Sequence, residues 1–473
     1  MQFKKVVAAV SGAVFLMAGQ FALADNTNDL VDALVSKGVL TEEEGKLLTK
    51  GHQGEMDGVK KKEKSYAKGS FNFRGYIQAR NTPIIGADDR GINLWSDRSV
   101  GNDTSMGDSD KNFLIRRMRM IFFGDVGDRL YYYIQPDFAS SIGGTSNSNA
   151  SGAGNFAQLR DAYGDVHLTK NKVHRIRVGQ SKVPFGFENL QSSQNRLALD
   201  RVDAMNSAVR DERDLGAFYY YTPENVQGLF KEIQDSGLKH SGNYGMLGIG
   251  VYNGQGANAR DQNDNLHVVA RATYPWKTES GQFYEMGIQA YHGEYVSATG
   301  SYNRTATQTS KTSAPTLART NGIADERVGL SFMMYPQPFG LEAEWNWGHT
   351  PGLDPNMGAN GTIREQNLNG GYIQTMYKID NFKFFDTNGT LIPFLKWQYF
   401  DGYSKAETNS PRNQVNDWEL GAEWQIAPEV ELVAEYHRMN RRNLVTSSSS
   451  QFGQEDYARF QANVLRLQLQ YNY

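Results

Sequence analysis

From Phe71 to the last residue the chain keeps returning to a period of two. In the stretch 70–80, Phe71, Phe73, Gly75, Ile77 and Ala79 alternate with Asn72, Arg74, Tyr76, Gln78 and Arg80. In 130–138, Leu130, Tyr132, Ile134 and Phe138 alternate with Tyr131, Tyr133, Gln135 and Asp137. The chain closes the same way: Leu465, Leu467, Leu469, Tyr471 and Tyr473 alternate with Val464, Arg466, Gln468, Gln470 and Asn472. One face is apolar and the other carries charge and amide groups. A strand with lipid on one side and a wet lumen on the other needs this. The pattern recurs over approximately 70–80, 112–124, 129–139, 156–168, 173–183, 215–222, 244–253, 265–274, 283–294, 326–335, 339–348, 368–378, 391–402, 416–426, 430–439 and 462–473. Most of these segments approach the roughly 9–11 residues that a tilted strand needs to cross a bilayer. The expectation is an all-β, sixteen-stranded antiparallel transmembrane β-barrel.

The connections give a second line of argument. Those after odd-numbered segments are long, at 81–111, 140–155, 184–214, 254–264, 295–325, 349–367, 403–415 and 440–461. Those after even-numbered segments are mostly short: Asp125–Asp128, Thr169–Lys172, Pro275–Gly281, Pro336–Pro338 and Ala427–Glu429. Two are longer, at 223–243 and 379–390. Long loops at one end and short periplasmic turns at the other mark an outer-membrane barrel. An even strand number puts both chain ends in the periplasm. A soluble sandwich would bury its apolar faces against each other and would not place Gly, Ala and aromatic residues outward over so many strands.

The start of the chain reads as an address. Lys4 and Lys5 precede the apolar run Val6–Gly19, and Ala22-Leu23-Ala24 offers a small-x-small cleavage site before Asp25. Residues 1–24 read as a secretory signal peptide. Residues 25–66 read as a periplasmic helical segment and linker, and 67–473 as the barrel. Leu30, Ala33 and Leu34 fall at helical spacing, Gly38 breaks the helix, and Thr41 with Glu44 forms a capping box for a second one. Lys60-Lys61-Lys62 and Lys64 read as a solvated linker, or as a contact with the anionic cell wall.

Composition removes whole classes. There is no cysteine, so disulfide scaffolds, thiolate nucleophiles and cysteine-ligated metal sites are excluded. Lys+Arg is 49 and Asp+Glu is 52; without Lys4 and Lys5 the balance is 47 against 52, or −5. That argues against nucleic acid as a partner. Mean hydropathy is −0.58, too polar for a bundle of membrane helices and compatible with a barrel. The histidines form no His-Glu-x-x-His, and no Gly-x-Ser-x-Gly elbow is present, so the reading is not an enzyme and calls for no cofactor and no metal.

Several motifs resemble the phosphate-selective porin O and P family over nearly all of 67–473. They are Ile115-Arg116-Arg117-Met118-Arg119, Leu159-Arg160-Asp161-Ala162-Tyr163, Val178-Gly179-Gln180-Ser181-Lys182-Val183-Pro184-Phe185-Gly186-Phe187-Glu188, Arg213-Asp214-Leu215-Gly216, Asn253-Gly254-Gln255-Gly256 and the stretch 392–398, IPFLKWQ. The Gly-Gln-x-Lys-x-Pro-Phe-Gly stretch is the most specific. The resemblance implies a trimeric porin of the Gram-negative outer membrane, passing phosphate or polyphosphate along basic residues in the lumen.

The residues themselves point to where such a path would run. The connection 184–214 is the natural constriction loop. It carries Arg196, Arg201, Arg210 and Arg213 against Glu188, Asp200, Asp203, Asp211, Glu212 and Asp214. Four positives face six negatives, so the loop alone does not make an anion path; opposed rows would set a transverse field. On the strands, alternation turns Arg74, Arg80, Arg117, Arg119, Arg175 and Arg177 inward. Guanidinium groups suit phosphate because their fork of donors matches two oxygens. Strict alternation puts Lys182 outward, unless a bulge re-aims it or it sits at the rim. These arginines either pair with Asp137, Asp161 and Asp165 or form a solute ladder. Tyr131–Tyr133 read as part of an interfacial girdle, or as a stacking surface for an organic solute. Expected partners are small anionic solutes and outer-membrane lipid, in a homotrimer.

Overall fold

A computed structural model describes residues 31–51 (33 excepted), 69–87, 111–139, 157–300, 314–443 and 458–473. The chain divides into two units, residues up to Lys68 and Gly69–Tyr473. In the first, residues 42–51 are helical. The capping box forms in full: Thr41 N donates to Glu44 Oε2 at 2.9 Å, and Glu44 N donates back to Thr41 Oγ1 at 3.3 Å. The signal-peptide reading, most of the 140–155 and 440–461 connections and the lysine run lie outside the described residues.

The second unit is one antiparallel sheet closed on itself. Its long strands are β1 (Asn72–Ala87), β2 (Lys111–Val126), β3 (Leu130–Asp137), β4 (Gln158–His167), β5 (His174–Lys182), β6 (Arg213–Tyr221), β7 (Leu247–Tyr252) and β8 (His267–Lys277). They continue as β9 (Phe283–Tyr295), β10 (Ile323–Met334), β11 (Phe339–Asp354), β12 (Thr362–Tyr377), β13 (Thr387–Tyr403), β14 (Arg412–Ala427), β15 (Val430–Asn443) and β16 (Ala458–Asn472). Each pairs with its neighbour in sequence, and β1 pairs with β16 in the register Tyr76↔Asn472 to close the ring. The sixteen strands expected from the period-two segments are therefore present. Two short additions join them: Thr316–Leu317 runs parallel to Thr362–Ile363, and Ile379–Phe384 forms a hairpin with the start of β13.

The last described residue takes part in closure. Tyr473 N donates to Gly75 O at 3.0 Å, and Gly75 N donates to Tyr473 O at 2.7 Å. The Tyr473 ring lies over Gly75, where an added Cβ would meet ring atoms at 2.6 Å and collide with the Arg119 carbonyl. The seam is built for glycine.

The barrel inverts the burial order of a soluble protein. Among its largest fully buried side chains are Arg80, Arg327, Arg441 and Arg466, while Val178, Ile249, Ile288 and Leu420 are more than half exposed. Apolar surface placed outward around a ring, with charge inside, is stable only in lipid. Aromatic pairs bound the apolar band at both ends. Trp276 stacks on Tyr284 near the short turns, and Trp345 stacks on Tyr399 towards the long loops.

Several connections differ from the sequence reading. Residues 349–354, 362–367, 412–415 and 440–443, expected as loop, are paired strand. Here the hairpins run past the apolar band, neither face meets lipid, and the alternation that identified the strands disappears. The 223–243 connection holds an amphipathic helix, Glu224–Asp235, which buries Val226, Phe230 and Ile233.

Candidate functional site

The connection 184–214 enters the lumen, and the Gly179–Glu188 motif sets its course. Gly179 holds φ +126, and a Cβ there would press on Tyr163 Cα at 2.8 Å. Gln180 ties β4 to the 254–264 connection, donating to the Leu159 and Arg160 carbonyls and accepting from Asn258 N. Pro184 and Phe185 follow, with Phe185 edge-on to Tyr291 at 4.9 Å. Gly186 (φ +86) turns the chain so that the N–H groups of Phe187 and Glu188 both donate to Glu344, at 2.7 and 3.1 Å. Lys182 is buried, although alternation puts it outward. Its Nζ donates to the carbonyls of Leu190 and Gln191 at 2.9 and 2.7 Å, and the β5–β6 register shows no bulge there. The strand ends at this residue, so its side chain follows the loop inward rather than the pleat.

The loop packs unevenly. Its Phe187, Leu197 and Leu199 join Phe283, Tyr335, Ile392, Phe394 and Val433 of the wall, together with Ile233 and Leu238 of the 223–243 connection. Val183, Phe185, Ala208 and Val209 pack on Phe218, Tyr252 and Tyr291, and Val202, Ala204 and Met205 on Tyr372 and Phe400. These apolar clusters seal the loop to β6–β9 and β12–β15; none includes a residue of β1–β5. Towards β1, β2 and β16 the loop presents polar groups. Ser193 meets Tyr76, Gln78 and Arg119, and Asp200 meets Arg80 (3.0 Å), Arg116 (3.6 Å) and Arg466. The polar groups of the loop are therefore turned towards β1, β2 and β16.

That side is rich in guanidinium groups, and most are spent on acids. Arg119 Nε bonds Asp137 at 2.8 Å, and Arg177 holds Asp165 through two bonds of 2.7 and 2.9 Å. Arg175 lies 3.8 Å from Asp165 and over the Tyr220 ring. Arg213 pairs with Asp161 and Glu212, Arg201 with Glu212, and exposed Arg210 lies 3.9 Å from Asp211. Three candidates have no acid against them among the described residues. Arg74 is exposed, its guanidinium 5.8 Å from the Phe123 ring. Arg117 is buried and donates only to Gln78 Oε1, at 2.7 Å. Arg196 is 6 % exposed, and all three of its guanidinium nitrogens are buried without a hydrogen-bond partner. Arg196 lies within electrostatic range of Arg117, Arg201 and Glu342.

Sequence reasoning missed two features. Arg116 was not among the inward arginines. The β1–β2 register passes from Gln78↔Arg117 to Ala79↔Ile115, leaving Arg116 as a bulge that turns it inward beside Arg117. The second is an acidic wall across the lumen: Glu342 and Glu344 on β11, Asp417, Glu419 and Glu423 on β14, and Glu435 on β15, all buried. Their inward phase was legible from alternation with Leu341, Ala343 and Leu420. Lys239, Lys396, Arg441 and Arg466 offset much of this charge through Glu423, Glu188, Asp203, Asp417 and Glu435. Opposed walls of arginine and carboxylate would set a field across the lumen to the extent that their charges are not paired locally.

The tyrosine run divides. Tyr132 faces outward and bonds Ser70 O, while Tyr131 and Tyr133 face the lumen beside Phe123. Tyr133 stacks on Tyr163 at 5.2 Å, and Arg177 lies 3.7 Å from the Tyr163 ring centroid. Glu419, Glu435 and His437 could together reach a metal ion. Each is engaged within the protein, with Gln398, Leu199 N and Asp417 respectively.

Comparison with known families settles the class. The sequence profile of phosphate-selective porin O and P matches residues 90–473. The chain belongs to the phosphate-selective porin O and P family. It is an outer-membrane porin, and its barrel is a channel. Solved structures similar to it include OmpF of Salmonella typhi in complex with daunomycin, at 10 % identity and TM-score 0.48, covering 85 % of this chain and 97 % of that one. OmpT of Vibrio cholerae in trimer form shares 9 % identity at TM-score 0.47, covering 86 % and 99 %. The anion-selective porin of Comamonas acidovorans shares 11 % at TM-score 0.44, covering 86 % and 100 %. No curated protein matches the chain.

Proposed function

We propose that this porin passes small anions, phosphate first among them, by a path between the inward loop and the β1–β5 wall. The observation that carries the reading is Arg196. A buried guanidinium with no ion pair and no hydrogen-bond partner among the described residues is costly, and a mobile anion in the lumen would balance it. Arg117 and the bulged Arg116 lie on the strand wall beside it, and Arg74 lies further along β1 towards the short turns. An anion entering from the long-loop side would exchange water for guanidinium forks that remain charged at every physiological pH.

The acidic wall supports a second reading, a general diffusion pore in which the transverse field orients polar solutes and favours neither sign. Purified protein in a planar bilayer separates the two. The anion reading expects a reversal potential of chloride sign in a KCl gradient and a fall in chloride conductance when phosphate is added. A reversal potential near zero with no phosphate block would support the general pore.

In the same reading the long loops face the outside of a Gram-negative cell, residues 25–66 lie in the periplasm, and three chains assemble around their smaller-residue faces. On this reading the helical segment within 25–66 touches the cell wall. Loss of envelope integrity with unchanged conductance on deleting 25–66 would support that tether.

A further inference from the structure

The anion path makes no use of four aromatic rings on the lumen wall. Phe123, Tyr133 and Tyr163 occupy facing register positions across β2, β3 and β4. The Phe123 and Tyr133 rings lie 6.4 Å apart, tilted, and Tyr133 stacks on Tyr163 at 5.2 Å with 15° between the planes. Tyr131 adds a fourth ring, 6.4 Å from Phe123. All four side chains are half-buried, and the apolar clusters that seal the inward loop leave them out. A guanidinium stands at each end of the row. Arg177 lies 3.7 Å from the Tyr163 centroid and is held by Asp165 through two hydrogen bonds. Arg74 lies 5.8 Å from the Phe123 centroid and within electrostatic range of Tyr131 and Tyr133. Arg74 is exposed and has no acid against it among the described residues, so this end of the row is open.

A porin lumen is polar, and rings that face it leave apolar surface against water. Lipid does not account for them, because they point inward. Their neighbour Tyr132, which faces outward, is the one placed for the interfacial girdle. Ring faces beside an open cation offer both halves of a site for a flat anion. We propose that this row binds aromatic anions, solutes with a planar ring that carries a carboxylate or phosphate group. The ring stacks on Tyr133 and Phe123, and the anionic group meets the Arg74 guanidinium. Arg177 is engaged by Asp165, so it covers Tyr163 and ends the row rather than taking the anion. The row sorts among the anions the lumen admits, and so the assignment rests on the reading of the lumen as an anion path. Inorganic phosphate gains nothing from the rings, whereas an aromatic anion uses ring and cation together.

The test is block of ionic current through the full chain in planar bilayers, with phenylphosphonate and cyclohexylphosphonate as paired probes. The two carry the same anionic group on rings of similar size, and only the first is flat. Wild-type channels are expected to be blocked by phenylphosphonate at a roughly fivefold lower concentration. Tyr133→Leu should abolish that preference, and Tyr133→Phe, which keeps the ring, should retain it. Tyr131→Leu should narrow it and is the second measurement should the Tyr133→Leu barrel not fold. Arg74→Gln should weaken block by both probes several-fold. The ratio between the probes does not depend on how the channel takes inorganic phosphate. A flat-ring preference in a channel that phosphate does not block would support this site and count against the phosphate reading alone. Equal block by the two probes in wild type, or a preference that survives Tyr133→Leu, would overturn the proposal.

Discussion

Replacing Arg196 by glutamine keeps much of the side chain's length and its hydrogen-bonding capacity, and removes one buried charge. At an effective dielectric constant of ~20 and about 6 Å from a passing anion, one charge contributes ~3 kcal/mol. Water and salt in an open lumen screen the interaction, leaving about 1 kcal/mol for a permeating ion. That corresponds to a roughly fivefold fall in the chloride-to-potassium permeability ratio. No described acid is hydrogen-bonded to Arg196, so the change breaks no such contact with a carboxylate. The folded barrel should melt at or above the wild-type temperature. Arg119→Gln is the contrast, since it strands buried Asp137 and should cost about 3 kcal/mol. Reversal potentials in planar bilayers and the temperature at which the folded form is lost on gels read both effects. An unchanged permeability ratio together with a lowered melting temperature in R196Q would mean that Arg196 only supports the loop, and would refute the reasoning.

Other expectations follow from the same contacts. Asp200→Asn removes the shared partner of Arg80, Arg116 and Arg466, so the loop should loosen; about 3 kcal/mol or more of stability should go, seen as a lower melting temperature and noisier single-channel currents. Gly75→Val fills the seam under Tyr473 and should cut the yield of the heat-modifiable folded form, with no effect if the seam has slack. His240 contacts Asn195 of the inward loop, and burial, then Lys239 and Arg74, pushes its pKa down to about 4. A depressed histidine pKa gives stability that is present above the unfolded value of about 6.5 and lost as pH falls through the folded value. Melting temperature should therefore decline between about pH 6.5 and 4, and His240→Gln should flatten that slope; an unaltered slope would assign the decline to other groups.

The barrel was legible in the sequence because lipid on one face and water on the other force strict alternation, and sixteen repetitions leave little ambiguity. Where that constraint ends, so did the reading. The hairpin extensions at 349–354 and 412–415 lack the lipid-facing half of the pattern, although Leu353 and Val415 pack inward in small apolar clusters. Arg116 and Lys182 were missed or misdirected for a related reason: a one-residue bulge at Arg116 and the strand end at Lys182 reset the phase on which an inward or outward assignment depends. The pairing of the arginines was beyond alternation altogether. Arg119 and Arg177 are adjacent to acids in register, whereas the acids that reach Arg80 and Arg201 come from the folded loop. Which cation is left without a partner depends on that tertiary arrangement, and a linear sequence does not contain it. Net charge was a poor guide for the same reason: it sums charges that the fold places on separate walls.

The most direct test of the central claim is to look for the ion that balances Arg196. Crystals of the full barrel soaked in bromide or selenate would reveal a bound anion by anomalous scattering. The account expects a peak in the lumen within hydrogen-bonding reach of Arg196, on the Arg117 side of the loop. Anion peaks confined to the exterior, with Arg196 instead bonded to a carboxylate of the protein, would contradict it.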